Sequence, residues 1–314
     1  MKEKILIVKL GFTETIDKMV STDNVSLGDV FRTTVILHLF KHDNVTWLTT
    51  KEALPLLKGN PFIQRLLVYD LTSASQLQAE PFDVVINLEK VPGVCALTDS
   101  IHAWRRYGFR FDAEKGTAEA YEHSYDAVAN SEDPILRKNM KKHWIEMLYA
   151  MVDKKWQGEE YVLGYKPKTR EKFDIGFNVK VGKRWPNKAW PGENWKELER
   201  LTGRRFSITH QQSLDNIEGY IDWLNSSRLI VTNDSLGLHL ALALGKKVVA
   251  MFGPTSEKEV FLFNRGVIIR PSKKLKCMPC FNTVCKYGKS CMHYIKPETI
   301  YKHIAKLLKR GEHG

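Results

Sequence analysis

Short apolar runs alternate with polar, helix-like segments along the first half of the chain. Each run is four to seven residues long and apolar on both faces, which is typical of strands buried in a parallel sheet. Alternation of such strands with helices predicts a doubly wound α/β domain. Strands are predicted at Lys4–Leu10, Val45–Thr49, Leu66–Tyr69 and Asp83–Leu88, a helix at Val30–Phe40, and a short helix and turn at Pro55–Pro61.

The second half repeats this kind of pattern without an internal sequence repeat. The predicted strands are Asp174–Phe177, Phe206–Thr209, Arg228–Thr232 and Lys247–Phe252. The predicted helices are Glu193–Leu201, Asn216–Asn225, Leu236–Leu244 and Pro297–Arg310. The pattern predicts a second Rossmann-like domain of the same class.

The stretch between the two series indicates where one domain ends and the next begins. Apolar residues recur at a period close to 3.6 from Glu132 to Trp156, which predicts one long amphipathic helix. Gln157–Lys172 then mixes Gly, Pro and charged residues, as linkers do. We therefore predict an N-terminal domain at residues 1–156 and a C-terminal domain at 173–314, facing each other across a central cleft.

Composition excludes several classes of protein. The 314 residues are 43% hydrophobic and 27% charged, a balance that excludes collagen-like, disordered and disulfide-scaffold proteins. The apolar runs are far shorter than the roughly 20 residues of a transmembrane helix. The first run is interrupted by Lys9 and is better explained as a buried strand than as a signal peptide. We expect a cytoplasmic protein, with peripheral association at the inner face of the membrane left open.

The net charge of +12 is concentrated at the C-terminal end. From Arg270 onward the chain has eleven Lys and Arg residues but only Glu298 and Glu312 as acids. A basic surface attracts nucleic acid, phospholipid head groups or a phosphorylated substrate, and charge alone does not choose among them.

Four of the five cysteines fall within 15 residues, with the pattern C-x2-C-x4-C-x5-C. In a cytoplasmic protein such a group favours metal binding over disulfides. Four thiolates suit a tetrahedral structural zinc or iron ion, although an iron–sulfur cluster or two disulfides stay open. The predicted ligands are Cys277, Cys280, Cys285 and Cys291.

The most informative segment is Leu229–Thr255. Here an apolar strand ends in Asn233-Asp234-Ser235, and a Leu/Ala-rich helix follows. Free N–H groups and the dipole at such a helix start form an anion site. The structural alternative is that Asp234 and Ser235 only cap the helix.

The wider pattern resembles glycosyltransferase family 9, the ADP-heptose:lipopolysaccharide heptosyltransferases. Asp234-Ser235-x-x-x-His239 precedes a strand and Phe-Gly-Pro-Thr255, as in the family signature. Three other segments agree in order: Ser26-Leu27-Gly28-Asp29 after the first strand, Phe82–Leu88, and Lys188-x-Trp190-Pro191. The resemblance implies the GT-B fold, in which two Rossmann-like domains face a cleft. The family has Gly where this chain has Leu236, followed by Gly237.

The resemblance implies a role for each matching residue. Asp29 would be the general base that takes the acceptor hydroxyl's proton during an inverting displacement; its structural alternative is a dipole-favoured residue at a helix start. A lysine and a helix terminus can neutralise the departing diphosphate, so the chemistry itself would need no metal. The implied donor-site residues are Lys188, Asp234, Ser235, Leu236, Gly237, His239 and Thr255.

The acceptor side is less defined by the sequence. Arg105, Arg106 and Arg110 form a basic stretch in the N-terminal half, where GT-B enzymes bind the acceptor, and guanidiniums suit phosphate or carboxylate groups. A solvated charged face is the structural alternative. The segment Gly11–Val25 is about 15 residues longer than the family's usual loop, and long loops are often functional.

These observations predict a glycosyltransferase that moves a heptose from ADP-heptose to an anionic sugar acceptor of the lipopolysaccharide-core type. The nearest alternative is a GT-B enzyme that uses another nucleotide sugar or a protein acceptor. A zinc-containing nucleic-acid-binding protein would explain the basic end and the cysteines, but not the Asp-Ser-x-x-x-His pattern, so we expect no nucleic-acid partner. The oligomeric state is left open.

Overall fold

The computed structural model describes residues 2–12, 25–211 and 216–309. The contacts divide the chain into two compact units, Met1–Tyr165 and Lys166–Gly314, a boundary that falls inside the predicted linker. No helix in these described ranges is long and apolar enough to cross a membrane. Most of the Gly11–Val25 segment, together with the end of the predicted last helix at Arg310, lies outside the described residues.

The first unit is built on one mixed sheet flanked by helices. Its strands are β1 (Lys4–Val8), β2 (Asn44–Thr49), β3 (Arg65–Val68), β4 (Phe82–Asn87), β5 (Ala103–Asp112) and β6 (Thr117–Ala120). Its helices are α1 (Leu27–Arg32), α2 (Leu54–Leu57), α3 (Leu71–Gln78), α4 (Pro92–Ser100), α5 (Tyr125–Glu132), α6 (Pro134–Lys138) and α7 (Trp144–Met151). The strand order is β3-β2-β1-β4-β5-β6, parallel except for β5–β6.

The second unit has a wholly parallel sheet with the order β11-β10-β9-β7-β8. Its strands are β7 (Phe173–Asn178), β8 (Ile208–His210), β9 (Ser227–Asn233), β10 (Lys247–Met251) and β11 (Gly266–Ile269). Its helices are α8 (Gly192–Thr202), α9 (Ile217–Asn225), α10 (Leu236–Ala243) and α11 (Pro297–Lys309), with 3-10 turns at Pro186–Lys188, Glu257–Glu259 and Cys291–Tyr294. The prediction of two doubly wound α/β units is confirmed.

Each sheet is held by strands that are buried on both faces. Ile5, Leu6, Ile7 and Val8 of β1 have no exposed surface, because β1 lies between β2 and β4 and helices cover the sheet. At about 25 cal/mol per Å² of apolar surface, burying such a side chain contributes about 1.5–3 kcal/mol. The chain leaves β1 close to the start of α1, where Ser26 N donates to the Gly11 carbonyl.

The order of the strands creates one switch point in each unit, and ligands of open α/β sheets bind there, at the carboxyl ends of the strands. In the first unit the switch lies between β1 and β4, and in the second between β7 and β9. The residues at or just past these ends are Lys9 and Glu89 in the first unit, and Asn178 and Asn233 in the second.

The predicted long helix Glu132–Trp156 is wrong. Two separate helices, α6 and α7, occupy this stretch. Pro134 begins α6 behind the Asp133 cap, and α6 ends before Asn139. The side chain of His143 then accepts from Glu146 N while Glu146 accepts from His143 N, a reciprocal cap that begins α7. Local caps outweigh the apolar period, which continues through the break.

The first predicted helix is also corrected. Helical backbone begins at Leu27 rather than Val30 and tightens into a 3-10 helix over Thr33–Phe40. The hydroxyls of Thr33 and Thr34 donate to the carbonyls of Asp29 and Phe31, bonds that compete with regular helix geometry. Elements that the sequence analysis did not predict are α3, α4, α5, β5, β6 and β11.

Candidate functional site

The start of α10 offers backbone N–H groups at the switch point of the second unit. Ser235 is the N-cap residue in extended conformation, and its side chain makes no capping hydrogen bond. Its hydroxyl instead accepts from Asn178 Nδ2 at 3.1 Å. Because the N-terminal N–H groups of a helix lack intrahelical partners, this uncapped end favours an anion. The observation favours the anion-site interpretation over simple capping by Ser235.

Asp234 is the centre of a polar cluster beside this helix start. Its Oδ2 lies 2.7 Å from Lys188 Nζ and accepts from Thr255 Oγ1 at 2.8 Å. Burial alone would raise the pKa of Asp234, but the charge and hydrogen bond of Lys188, the charge of His239 and the hydroxyl of Thr255 hold that pKa below its usual value. Four residues that the resemblance implied for the donor side are therefore brought together.

Lys188 reaches this cluster from the 3-10 turn Pro186–Lys188 that follows β7. Its ammonium also lies 4.9 Å from the centre of the Trp185 ring. Only about an eighth of the Lys188 side chain is exposed, so its charge is held near Asp234 rather than spread into water. A lysine fixed in this way can act on a second anion next to Asp234.

Close packing around position 237 explains why a glycine stands there, and the sequence alone did not reveal this. A Cβ at this position would lie 2.3 Å from Asn178 Nδ2 and 2.4 Å from Tyr220 Oη. These groups form a buried network in which Tyr220 donates to Asn178 Oδ1 at 2.7 Å, and Asn178 donates to Thr232 Oγ1 at 2.7 Å. Gly237 therefore allows the close packing of α10 against the ends of β7 and β9. Leu236, where the family has Gly, is partly exposed at the first position of α10.

Asp29 lies in α1, whose start is held to the turn after β1 by the hydrogen bond from Ser26 N to the Gly11 carbonyl, and is 4% exposed. Its carboxylate forms an ion pair with Arg32, whose guanidinium lies 4.7 Å from the centre of the Trp144 ring. Asp29 is thus positioned by an arginine, and a buried carboxylate in such a place can serve as a base or as a structural ion-pair partner.

A buried ion pair holds the turn that precedes α1. Glu89 Oε1 lies 3.0 Å from Lys9 Nζ and accepts from the backbone N–H groups of Leu10 and Gly11 at 2.7 Å each. Gly11 has φ of +81°, and its carbonyl accepts from Ser26 N at 2.7 Å. These bonds tie the end of β4 to the base of the loop between β1 and α1. Neither Lys9 nor Glu89 was assigned a functional role from the sequence.

The three arginines predicted for the acceptor do not lie together at the carboxyl edge. Arg105 pairs with Glu3, which precedes β1 at the opposite edge of the sheet. Arg106 donates to the backbone carbonyls of Thr98 and Ile101, where α4 ends. Arg110 forms an ion pair with Glu119 across the β5–β6 hairpin, which raises the pKa of the guanidinium.

A cavity of about 410 Å³ opens at the carboxyl ends of β1, β2 and β3, on the edge of the sheet from which α1 starts. Phe12 and Tyr69 meet edge to face in its wall, with ring centres 5.8 Å apart. The size is within the range of small-molecule pockets. The sequence could have indicated this cavity, because most of its lining residues lie at or just after the ends of three predicted strands. The lining residues are Phe12, Val25, Thr50, Lys51, Glu52, Val68 and Tyr69.

The four clustered cysteines are close in space, but they do not form a ready metal site. Burial, with the charges of Cys280, Cys277 and Cys285, raises the pKa of the Cys291 thiol to about 12. Over the described ranges, no three His, Cys, Asp or Glu side chains converge in an arrangement that could hold a metal ion. The donor set of four sulfurs suits zinc or iron, whereas the arrangement of the side chains does not yet fit one.

Comparisons with known proteins agree with these features. Residues 215–291 match the family model of glycosyltransferase family 9 (heptosyltransferase). Lipooligosaccharide heptosyltransferase 2 of Campylobacter jejuni is 36% identical over 85 residues, which is 26% of this chain and 26% of that protein. The aligned segment therefore spans about a quarter of the curated relative.

Solved structures match over nearly the whole chain. A glycosyltransferase family 9 protein of Veillonella parvula has a TM-score of 0.69 at 18% identity and covers 98% of both chains. E. coli ADP-heptose lipopolysaccharide heptosyltransferase II has a TM-score of 0.67 at 14% identity, covering 98% of this chain and 99% of its own. The iron-containing dodecameric glycosyltransferase TibC of enterotoxigenic E. coli has a TM-score of 0.61 at 11% identity, with 98% and 77% covered.

At these identities the structural matches establish the fold. The GT-B architecture predicted from the sequence is confirmed, and so is the resemblance to a glycosyltransferase family 9, heptosyltransferase-like family.

Proposed function

For a chain with the fold of the heptosyltransferases and a segment of glycosyltransferase family 9 sequence, we propose that it transfers a heptose from ADP-heptose to an anionic sugar acceptor. The observation that carries the proposal is the Asp234 cluster beside the uncapped start of α10. An ammonium, a hydroxyl and free N–H groups next to one another suit a diphosphate. The name of the E. coli structural relative supports ADP-heptose as the donor and lipopolysaccharide as the acceptor class.

The proposed reaction is a direct displacement with inversion. Asp29 takes the proton of the acceptor hydroxyl while that oxygen forms a bond to the anomeric carbon. The bond from the anomeric carbon to the diphosphate oxygen breaks, and ADP leaves with the electron pair. Lys188 and the N–H groups at the start of α10 stabilise the negative charge on the leaving diphosphate. The ion pair with Arg32 orients the Asp29 carboxylate before proton transfer.

A nucleotide panel tests the donor assignment. We expect ADP to raise the melting temperature of the protein more than UDP or GDP at equal concentration, because a ligand that binds only the folded state stabilises it. The nucleotide sugar that corresponds to the stabilising nucleotide is then incubated with the protein and a core-oligosaccharide acceptor. NMR of the product gives the anomeric configuration. Stabilisation by UDP or GDP alone would favour the alternative of another nucleotide sugar, and retention of configuration would exclude Asp29 as the base of a single displacement.

For the acceptor, we propose that one sugar of the glycan occupies the cavity beside Phe12 and Tyr69. Aromatic rings supply apolar surface and Lys51 faces an anionic substituent. Arg110 stays in this proposal as a cation outside the cavity lining. We propose a cytoplasmic location, in which a glycolipid acceptor would bring the protein to the inner face of the membrane. A protein acceptor remains the alternative.

Replacing Lys51 with Ala should raise the acceptor KM and leave the ADP affinity unchanged. Lys58→Ala is the matched control, since Lys58 is an exposed lysine of the same unit outside the cavity lining. The double variant Arg105→Ala/Arg106→Ala tests the sequence-based prediction directly. An acceptor KM that responds to the arginines but not to Lys51 would move the acceptor away from the cavity.

We propose in addition that the cysteines bind one structural zinc or iron ion once their side chains rearrange. The iron in TibC, a protein of the same fold, supports this. The ion would cross-link the segment and would take no part in the transfer chemistry. Elemental analysis of protein purified without chelator should find about one metal ion per chain, which should be lost in the Cys277→Ser/Cys280→Ser variant. Metal-free protein of unchanged stability would contradict this part of the proposal.

A further inference from the structure

The four-Cys segment, residues 277–291, contacts the loop that carries Thr255. The Pro254 carbonyl accepts two hydrogen bonds from this segment, from Cys280 N at 3.1 Å and from Phe281 N at 2.8 Å. Pro254 is the residue immediately before Thr255, whose hydroxyl donates to Asp234. The segment therefore fixes the backbone from which Thr255 reaches the Asp234 cluster.

The same segment also contacts the turn that carries Lys188. Asn187 donates twice to it, from its backbone N to the Thr283 carbonyl and from Nδ2 to the Asn282 carbonyl, both at 3.1 Å. Asn187 is 7% exposed, and it is the residue immediately before Lys188. The remaining backbone hydrogen bonds of this turn are local, from Lys188 N to Trp185 O and from Ala189 N to Pro186 O.

A third contact shows how closely the segment packs on the loop after β10. A Cβ on Gly253 would lie 2.7 Å from Cys291 Sγ and 2.6 Å from Met292 Sδ. Cys291 and Met292 are both buried. Interiors packed to this density transmit displacements, because they have no free space to absorb them.

Lys188 and Thr255 come from different loops, yet both bond to the same oxygen of Asp234. Residues 280–283 contact the neighbours of both. We propose that residues 280–283 form a bridge that positions Lys188 and Thr255 on Asp234, so that nucleoside diphosphate binding depends on the four-Cys segment. Asn187 and the Pro254 carbonyl are its attachment points. The inference rests on the proposed donor site and gives the cysteine segment a role whether or not it binds a metal.

Asn187→Ala removes the hydrogen bond from Nδ2 to the Asn282 carbonyl and keeps the one from the backbone N to the Thr283 carbonyl. It leaves Lys188, Asp234 and Thr255 in place. We expect the Kd for ADP, measured by titration calorimetry, to rise about fivefold, the equivalent of one net hydrogen bond. Asn225→Ala is the matched control, because Asn225 Nδ2 also donates to a backbone carbonyl, that of Thr169, in the same unit. The control should bind ADP as the wild type does, and circular dichroism should show that both variants are folded.

Hydrogen exchange supplies a second readout that does not depend on a variant. Binding that is coupled through the bridge must act in both directions, so ADP should slow amide exchange in the peptide that contains Cys280 and Phe281. Exchange in α11 should not change. In Asn187→Ala the protection by saturating ADP should be smaller.

The possible results distinguish a wrong donor assignment from a wrong bridge. If the wild type does not bind ADP, the proposed donor is wrong and the bridge is tested with the nucleotide that does bind. If the wild type binds ADP but Asn187→Ala binds equally well, or if ADP leaves exchange at Cys280 and Phe281 unchanged, the bridge is wrong and the donor assignment stands. Should Asn187→Ala fail to fold, the wild-type exchange result decides.

Discussion

Lys188 and Asp234, which are 46 residues apart in sequence, form an ion pair of 2.7 Å at the carboxyl edge of the second sheet. Less than a fifth of either side chain is exposed. The pair places a cation where the proposed diphosphate binds, and it also neutralises a carboxylate that would otherwise repel that diphosphate. Lys188 therefore affects an anionic ligand in two ways.

Replacing Lys188 with Ala should weaken ADP binding by about 10- to 100-fold, the usual range for a hydrogen bond to a charged group. The loss has two sources, the missing ammonium and the uncompensated Asp234. Titration calorimetry measures it, with Lys196→Ala, an exposed lysine of α8, as the control. In Lys188→Ala/Asp234→Asn part of the affinity should return. An unchanged Kd for Lys188→Ala would mean that the pair is purely structural.

Asp29→Asn should reduce transfer by about 10²–10⁴-fold, the usual contribution of a general base. The amide keeps the size of the side chain and removes its basicity, so the fold and the ADP affinity should persist. Single-turnover kinetics with saturating donor and acceptor measure the step itself. Transfer within about threefold of the wild type would leave Asp29 with a structural role and would remove it from the mechanism.

Gly237→Ala should destabilise the protein, although alanine is the better helix former by about 1 kcal/mol. The added Cβ would overlap Asn178 and Tyr220, and overpacking of this kind typically costs about 1–3 kcal/mol. Gly192→Ala is the control, because Gly192 begins α8 and a Cβ there would meet nothing within 4 Å. In denaturant titration, the free energy of unfolding of Gly237→Ala should be lower than that of the wild type, and that of Gly192→Ala should be equal or higher. The reverse order would contradict the packing.

The Asp234 carboxylate should contribute stability at neutral pH that is lost in acid. Its pKa is lower in the folded protein than its ordinary value, so the unfolded chain binds the proton more readily. The contribution is complete above the ordinary pKa and disappears as the pH falls through the lowered one. The difference in melting temperature between the wild type and Asp234→Asn should therefore shrink between pH 7 and about pH 3. A difference that is constant across this range would argue against the ionised pair.

Cys95 should resist alkylation in the native protein. Burial raises the pKa of this thiol to about 12, so at pH 8 almost none of it is the reactive thiolate. Mass spectrometry after iodoacetamide treatment should show labelling of Cys95 only after the protein is unfolded. Native labelling of Cys95 at the rate of the unfolded chain would contradict its burial.

Local sequence patterns predict those parts of the molecule that depend on neighbouring residues. Buried strands such as β1 and β10 and the helix start at Ser235 follow from apolar runs and polar breaks over a few residues. The second-unit residues Lys188, Asp234, His239 and Thr255 were predicted as one group from the resemblance to glycosyltransferase family 9, which agrees with the rule that parallel strands bring their carboxyl ends to one edge. The break between α6 and α7 was missed because α6 ends before Asn139 and the His143 cap begins a new helix, while the apolar period itself continues.

By itself, then, the sequence determined the fold class, eight of the eleven described strands and the motif at the edge of the second sheet, all of which depend on neighbouring residues. Only the tertiary structure decided which partners the charged residues have. It paired Arg105 with Glu3, turned Arg106 to the end of α4, and joined Lys9 to Glu89. It also set Asn187 and Pro254 against the four-Cys segment. The physical reason is that three of these contacts, Arg105 with Glu3, Lys9 with Glu89 and Asn187 with Asn282, join positions about 80 to 100 residues apart. Whether such positions meet depends on how whole strands and helices pack, which no local pattern encodes.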